Sequence, residues 1–342
     1  VQRGVDGPAD TAPARRDRRA AAVDRPGAVA ALRAALGAFA EHFLPQGSGW
    51  AVALSGGPDS LALTAVAAAM RPTTALIVDH GLQAGSAQVA EAARRQALEL
   101  GCVDAQVIPV TVGVAGGPEA AARAARYAAL ADARGRDPVL LGHTLDDQAE
   151  TVLLGLGRGS GARSMAGMRP YDPPWCRPLL GVRRAQTAQA CSELGLTPWL
   201  DPHNSDGRFT RVRLRAEVLP LLEDVLGGGV AEALARTAIA LRENTELIDG
   251  LAEQALPGAT AGAALDAAAL ATLAGPVRLA VIRRWLIDGG GRGLTDLQIR
   301  AVDRLVTAWR GQGGVAIGSD LRGQRLFAIR GDGLLRLRSE PV

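Results

Sequence analysis

From residue 50 to residue 156 the chain alternates between two hydrophobic periods. Short apolar runs at 50–54, 74–78, 105–110 and 139–141 read as strands, and 60–70, 86–100, 118–134 and 146–156 repeat apolar residues at helical spacing. Strands separated by helices of this length pair in parallel through βαβ crossovers. The pattern therefore predicts an α/β fold whose N-terminal domain is a Rossmann-like parallel sheet. Ligands of such sheets lie beyond the carboxyl ends of the strands, so polar residues should gather there. Strand one runs into Ser55-Gly56-Gly57-Pro58-Asp59-Ser60, strand two into Asp79-His80-Gly81-Leu82, and strand four into Gly142-His143-Thr144-Leu145-Asp146-Asp147. Polar clusters at these strand ends predict a single site on one rim.

The rest of the chain is organised differently. Residues 1–27 are rich in Gly, Pro, Ala, Asp and Arg without apolar periodicity. They are expected to form a disordered tail, and they lack the apolar core of a signal peptide. A leading helix is expected over 28–44, before Pro45. Beyond 157 the alternation stops; 183–195 look helical, 196–207 form a loop, and 216–312 are expected to be all-helical, with breaks at 227–229, 255–263 and 289–293. Glycine-punctuated alternation over 314–339 predicts a small terminal β-element. The expected domains are thus a tail (1–27), an α/β domain (28–215) and a mostly α-helical domain with the β-element (216–342). No stretch is long and apolar enough to span a membrane, and a cytoplasmic protein is expected.

Composition narrows the chemistry. All 38 basic residues are Arg, which excludes Schiff-base and lysine-nucleophile catalysis. A net charge of +3 permits a nucleic-acid partner without requiring one, so the placement of the arginines carries that argument. Cys102, Cys176 and Cys191 are odd in number and never in CxxC spacing, which supports neither a disulfide framework nor a zinc ribbon. Aromatic residues make up 3% of the chain, too few for an RNA reader that works by base stacking.

A strand that turns through Gly56 and Gly57 into a helix presents backbone N–H groups and a positive helix end to one point, an anion cradle suited to phosphate. The loop is neither GxxxxGK[ST] nor GxGxxG, which excludes a Walker loop and a dinucleotide fingerprint. A bare Gly-Gly would read equally as an ordinary turn; Ser55, Asp59 and Ser60 around it favour the cradle. Asp147 and Glu150 lie three apart, on one helical face. Paired carboxylates near a phosphate site point to Mg²⁺ or to a cationic substrate group, whereas acids at a solvated helix start would merely complement its dipole. His143 has no His or Cys at ligand spacing, so contact with phosphate or nucleotide is its expected role. His80 and Asp79 stand where a nucleotide's sugar and base would lie. Arg208, Arg211 and Arg215 recur at helical spacing, with Arg213 projecting elsewhere; such a stripe reads as RNA-backbone or adenylate contact.

These motifs occur in a specific order. After the Ser55–Ser60 loop come Asp79-His-Gly-Leu82, Arg126-Tyr127, Gly142-His-Thr-Leu-Asp-Asp-Gln-Ala-Glu-Thr151, Gly157–Gly161, Arg177-Pro-Leu-Leu180, Asp201-Pro-His-Asn204 and Phe209–Arg215. The series, from about residue 50 to 220, resembles the tRNA(Ile)-lysidine synthetase family of the PP-loop ATP pyrophosphatases, in a short form without the additional C-terminal domain of longer members. The resemblance implies ATP and Mg²⁺ as cofactors, and free L-lysine and a tRNA(Ile) with a CAU anticodon as partners; it leaves a homodimer open. The wobble cytidine would be adenylated at its C2 oxygen, and lysine would then displace AMP. It implies ATP binding by Ser55–Ser60, Asp79, His80, Gly142 and His143, and catalytic roles for Asp59, Asp147, Glu150 and Arg211. Lysine would bind at Asp147 and Glu150, metal at Asp59 and Asp147, and tRNA at Arg208, Arg211, Arg213 and Arg215. A departure is Val212, where relatives often carry Asn.

Two other readings share parts of this pattern. A PP-loop tRNA thiolase would need persulfide or cluster cysteines, which the spacing of Cys102, Cys176 and Cys191 does not supply. A non-catalytic ATP-binding regulator would need the phosphate loop but not Asp147, Glu150 and the arginine face.

Overall fold

The computed structural model describes residues 27–44, 47, 49–81, 85–113, 117–159, 161–201, 207–319 and 324–341. Residues 1–26 of the expected tail (1–27), together with Leu82, Ser160, Pro202, His203 and Asn204, lie outside the described residues. In chain order the first elements are α1 (Ala28–Phe43), β1 (Trp50–Ala53), α2 (Pro58–Ala68), β2 (Thr73–Asp79), α3 (Ser86–Glu99), β3 (Asp104–Pro109), α4 (Pro118–Ala133) and β4 (Val139–Leu140). Next come α5 (Leu145–Arg158), α6 (Ala162–Met165), β5 (Tyr171–Asp172), β6 (Trp175–Cys176) and α7 (Arg184–Glu193). Then follow α8 (Thr210–Arg213), a π-helical turn (Leu214–Val218), α9 (Leu219–Val225), α10 (Val230–Ala259), β7 (Thr260–Ala261) and β8 (Ala264–Asp266). The chain closes with α11 (Ala267–Thr272), α12 (Gly275–Asp288), α13 (Asp296–Thr307), β9 (Val315–Ile317), β10 (Gln324–Gly331) and β11 (Leu334–Pro341).

These elements group into two compact units, one of residues 1–142 and 171–200, the other of 143–170 and 201–342. The first unit is the α/β part. Its sheet runs β3-β2-β1-β4-β6-β5, parallel throughout except for the β5–β6 hairpin. The central strand β1 pairs with β2 on one side and β4 on the other, so the loops that leave β1 and β4 emerge side by side. Trp50, Leu54, Leu61 and Leu63 are fully buried with Leu32 and Leu36 of α1. The one polar atom of Trp50 is satisfied inside this core, since its indole N–H donates to Thr73 Oγ1 at 2.7 Å. Glu193 at the end of α7 accepts from the Ala28 and Val29 amides at 2.9 and 3.0 Å, supplying the side-chain cap that Gly27 cannot.

The second unit pairs helices with a five-stranded antiparallel sheet in the order β7-β8-β11-β10-β9. Its core joins Ile282, Leu286, Val302 and Leu305 of α12 and α13 to Leu265, Leu326, Ala328 and Leu335 of the sheet. Asp332 and Gly333 both take positive φ, 51° and 76°, the geometry of a type I′ turn that closes the β10–β11 hairpin. The expectation of an all-helical stretch over 216–312 is corrected at 260–266. There β7 and β8 form a hairpin across Gly262, and β8 pairs with β11. The break expected from 255 falls later, because Pro257 sits in the last turn of α10, where its missing N–H removes a single bond. Helix α5 follows β4 in the alternation, yet its apolar face, Leu145 and Ala149, packs with Leu219, Ala231 and Ala235 in this second unit.

Candidate active site

In the first unit, β1 leads directly into the Ser55–Ser60 loop and the loop into α2. Gly56 sits at φ +84°, a conformation that L side chains rarely adopt, and this turns the chain sharply into the helix. Pro58 occupies the first turn of α2, where its missing N–H costs nothing. Helix geometry leaves the early amides of α2, among them Asp59 and Ser60, without intrahelical acceptors, the kind of donor set that suits an anion. The loop is braced from within. Ser60 Oγ accepts from the Ser55 amide at 3.2 Å, lies 3.0 Å from Ser55 Oγ and donates to the Gly57 carbonyl at 3.1 Å. Ser60 is buried, so its hydroxyl closes the loop, while Ser55 is exposed. Gly142, at the end of β4, backs onto the same turn. A Cβ there would stand 3.0 Å from the Asp59 carbonyl carbon and the Ser60 amide nitrogen, so only glycine lets β4 and the loop approach this closely.

Asp59 is turned toward α7. Thr187 donates its hydroxyl to Asp59 Oδ1, and Arg184 Nε lies 3.3 Å from Oδ2. These partners come from 125 to 128 residues further on and were missed from the sequence, although Arg184 and Thr187 stand three apart, on one helical face. Asp79 Oδ1 accepts from the Gly81 amide at 3.0 Å, forming a tight turn at the end of β2. His80 is half-buried, and its Nδ1 has no hydrogen-bond partner among the described residues. Burial, then the nearby Arg126 charge, hold its pKa below the usual imidazole value, outweighing the opposite pull of Asp79.

In the second unit the acids gather on α5. Thr144 caps the helix through a reciprocal box: its Oγ1 accepts from the Asp147 amide at 3.5 Å, and its backbone N–H and hydroxyl donate to Asp147 Oδ2, both at 2.8 Å. Glu150, one turn on, is wholly buried. Arg215 Nε lies 2.8 Å from Glu150 Oε1, Arg215 Nη2 lies 3.7 Å from Asp147 Oδ1, and Arg211 Nη1 lies 3.7 Å from Glu150 Oε2. A buried carboxylate is tolerable only with such partners. Asp147 and Glu150 therefore converge, as their spacing predicts, but on guanidinium groups. His143 and Asp146 flank this cap in partly buried positions.

The arginine stripe divides. Arg211 and Arg215, four apart, share Glu150. Arg213 is exposed and pairs with Glu217 at 2.8 Å, as its offset predicts. Arg208 is exposed and precedes α8, whose N-cap is Phe209, so it stands in a turn and not on the helical face. Arg163, in α6, is tied to Asp249 of α10.

The expected metal ligands do not fit a resident ion. Asp59 accepts from Thr187 and Arg184, Asp147 caps its own helix, and no three His, Cys, Asp or Glu side chains converge among the described residues. The cysteines do not favour sulfur chemistry either. All three are buried, and burial pushes Cys102 and Cys191 up to about 11 and Cys176 to about 12, so none is a thiolate near neutral pH.

Comparison with known proteins gives the family. Residues 31–222 match the PP-loop domain family, and residues 265–327 match the TilS substrate binding domain. The tRNA(Ile)-lysidine synthase of Mycobacterium tuberculosis is 72% identical over 324 residues, 94% of this chain and 100% of that protein. The Mycobacterium leprae enzyme of that name is 68% identical over the same shares. The one from Nocardia farcinica is 60% identical over 305 residues, 89% of this chain and 96% of its own. Among solved structures, a U34-tRNA thiolase from Methanococcus maripaludis has a TM-score of 0.52 at 18% identity, over 63% of this chain and 80% of that one. At that identity the likeness is one of fold.

Proposed function

The chain belongs to the tRNA(Ile)-lysidine synthase family, and from that premise we infer how its own residues divide the work. The reaction is an ATP-dependent ligation that forms lysidine on tRNA. In the reading supported best, the C2 oxygen of the wobble cytidine, in a CAU anticodon, attacks the α-phosphorus of ATP and pyrophosphate leaves. The amine of free L-lysine then attacks C2, and AMP departs with that oxygen.

The observation that carries this division is the contrast between an anion cradle of the Gly57, Asp59 and Ser60 backbone amides and a carboxylate group of partly buried Asp147 and fully buried Glu150. The cradle takes the phosphates and stabilises the charge of the departing pyrophosphate. Gly142 keeps the cradle in shape, and Asp79 and His80 contact the nucleoside. Asp147 and Glu150 receive the ammonium groups of lysine in place of part of their contact with Arg215 and Arg211, and His143 stands next to them in sequence. Arg211, displaced, is then available to the reaction, while exposed Arg208 and Arg213 take tRNA phosphates. Mg²⁺ enters only as the ion that ATP carries on its phosphates. No described helix is long and apolar enough to cross a membrane; we place the reaction in the cytoplasm, with a homodimer as one assembly in which it would run.

The test uses the full chain with ATP, lysine and a tRNA(Ile) transcript bearing the CAU anticodon. Pyrophosphate release should require the tRNA, and mass spectrometry should find lysine added at the wobble position. Binding of ATP with no response to tRNA or lysine would sink the reading.

A further inference from the structure

The phosphate loop is held from outside by one distant segment. The Trp199 amide donates to the Gly56 carbonyl at 2.9 Å, Cys191 Sγ donates to the Pro58 carbonyl at 3.5 Å, and Thr187 and Arg184 engage the two carboxylate oxygens of Asp59. Each of these contacts lands on an oxygen of the loop. The segment from α7 to Trp199 therefore uses the loop's acceptors and leaves to the ligand the N–H groups that a phosphate needs. Thr187 is fully buried, and its one hydroxyl proton has two acceptors in reach, the Arg184 carbonyl at 2.7 Å and the Asp59 carboxylate, of which the charged carboxylate is the stronger.

Asp59 poses an electrostatic problem in this setting. A carboxylate in the first turn of α2 competes for the positive helix end with an incoming polyphosphate, and it repels that polyphosphate. Two solutions exist: a metal ion bridging carboxylate and phosphate, or a protein cation and donor that draw the carboxylate aside. The side chains present supply the second.

We propose that Arg184 and Thr187 are positioning residues for the phosphate loop, which hold Asp59 as an internal anchor turned toward α7 instead of a ligand for metal. The inference rests on the reading of the loop as the ATP site. With the anchor in place the α2 amides keep their aim and the nearest anion is neutralised. Without it, Asp59 swings toward the phosphates and ATP binding weakens, while the groups that handle lysine are untouched.

Equilibrium titration of ATP into the full chain at excess Mg²⁺ separates the possibilities. Thr187→Val, which keeps the shape and deletes the donor, should raise the ATP Kd about tenfold, as expected for losing one hydrogen bond to a charged group. Arg184→Gln should act in the same direction. Thr187→Ser should return the Kd to within about twofold of the parent. At saturating ATP, kcat and the KM for lysine should stay near the parent values in Thr187→Val, a split that general loosening of the fold would not produce. Asp59→Asn should leave the half-saturating Mg²⁺ concentration in place. A parental Kd in Thr187→Val, or an upward shift of Mg²⁺ dependence in Asp59→Asn, overturns the anchor. Should Thr187→Val fail to fold, Arg184→Gln and Asp59→Asn decide by the same criteria. An unsubstituted chain that binds no ATP would instead remove the reading of the loop itself.

Discussion

The two candidate groups, one in each unit, are built by opposite means. On the proposed reading the phosphate loop binds an anion with backbone amides whose direction is set by the turn at Gly56, the internal Ser60 brace and the bare Gly142 behind it. On the proposed reading the α5 group binds a cation, and its carboxylates are already paired with Arg215 and Arg211. A substrate ammonium there has to compete with guanidinium groups of the same sign. The loop is preorganised and the acid group is precharged, so substitutions in the loop should act through geometry and those in the acid group through charge.

The sharpest break in that comparison is Glu150→Ala. Removing a buried carboxylate strands its arginine partners, which costs roughly 3–5 kcal/mol for fully buried pairs. Arg215 and Arg211 are 34% and 38% exposed, so solvent screens part of this and about 3 kcal/mol is expected. Urea denaturation of the full chain measures it, and a loss below about 1 kcal/mol would show that the group is held by packing and not by charge.

Next in size is Gly142→Ala. The added methyl meets backbone, which cannot move aside as a flexible side chain can, and about 2 kcal/mol of destabilisation is expected together with weaker ATP binding. Gly157→Ala in α5 is the natural control. It meets nothing within 4 Å and should stabilise the helix by about 0.5–1 kcal/mol. Equal effects at the two glycines would mean that the close approach of β4 to the loop does not matter.

Within the acid group, Arg215→Gln should cost more than Arg211→Gln. Arg215 Nε is at hydrogen-bond distance from Glu150, whereas Arg211 is 3.7 Å away and more exposed. About 2 kcal/mol against less than 1 is expected by thermal unfolding. The reverse order would move the main partner of Glu150 to Arg211.

How much of this was readable beforehand follows the same division. The loop's chemistry lies in six consecutive residues, Ser55–Ser60, and the alternation of strands and helices places them at a strand end, so both were legible. Asp147 and Glu150 were legible as a pair because three residues along a helix share a face. The partners of these acids were not. Arg215 lies 65 residues from Glu150, and Thr187 lies 128 from Asp59, separations that no local period encodes. That is why a metal was expected where the fold supplies Arg184 and Thr187. The β7–β8 hairpin escaped for another reason: strands of two and three residues are too short for an alternating pattern, and what holds them is pairing with β11, the last strand described.

The smallest effect belongs to His80, and it asks whether the loop's unit is as indifferent to charge as the comparison holds. Burial and the Arg126 charge lower the His80 pKa, so the folded protein binds fewer protons there than the unfolded chain does. The sign follows. Stability from this group is complete above the unfolded imidazole value and is lost as pH falls through the lowered folded value. Acidification from neutral pH should thus destabilise the parent chain by a component that His80→Gln lacks, seen as a flatter dependence of the urea midpoint on pH. Because His80 is only half-buried the difference is modest. ATP should shift it further: if His80 contacts the nucleoside as a neutral imidazole, ATP binding to the parent weakens over the same acidic range and the dependence disappears in His80→Gln. An ATP affinity with the same pH dependence in both chains would remove His80 from the nucleotide site and leave its unpartnered Nδ1 as a feature of the turn alone.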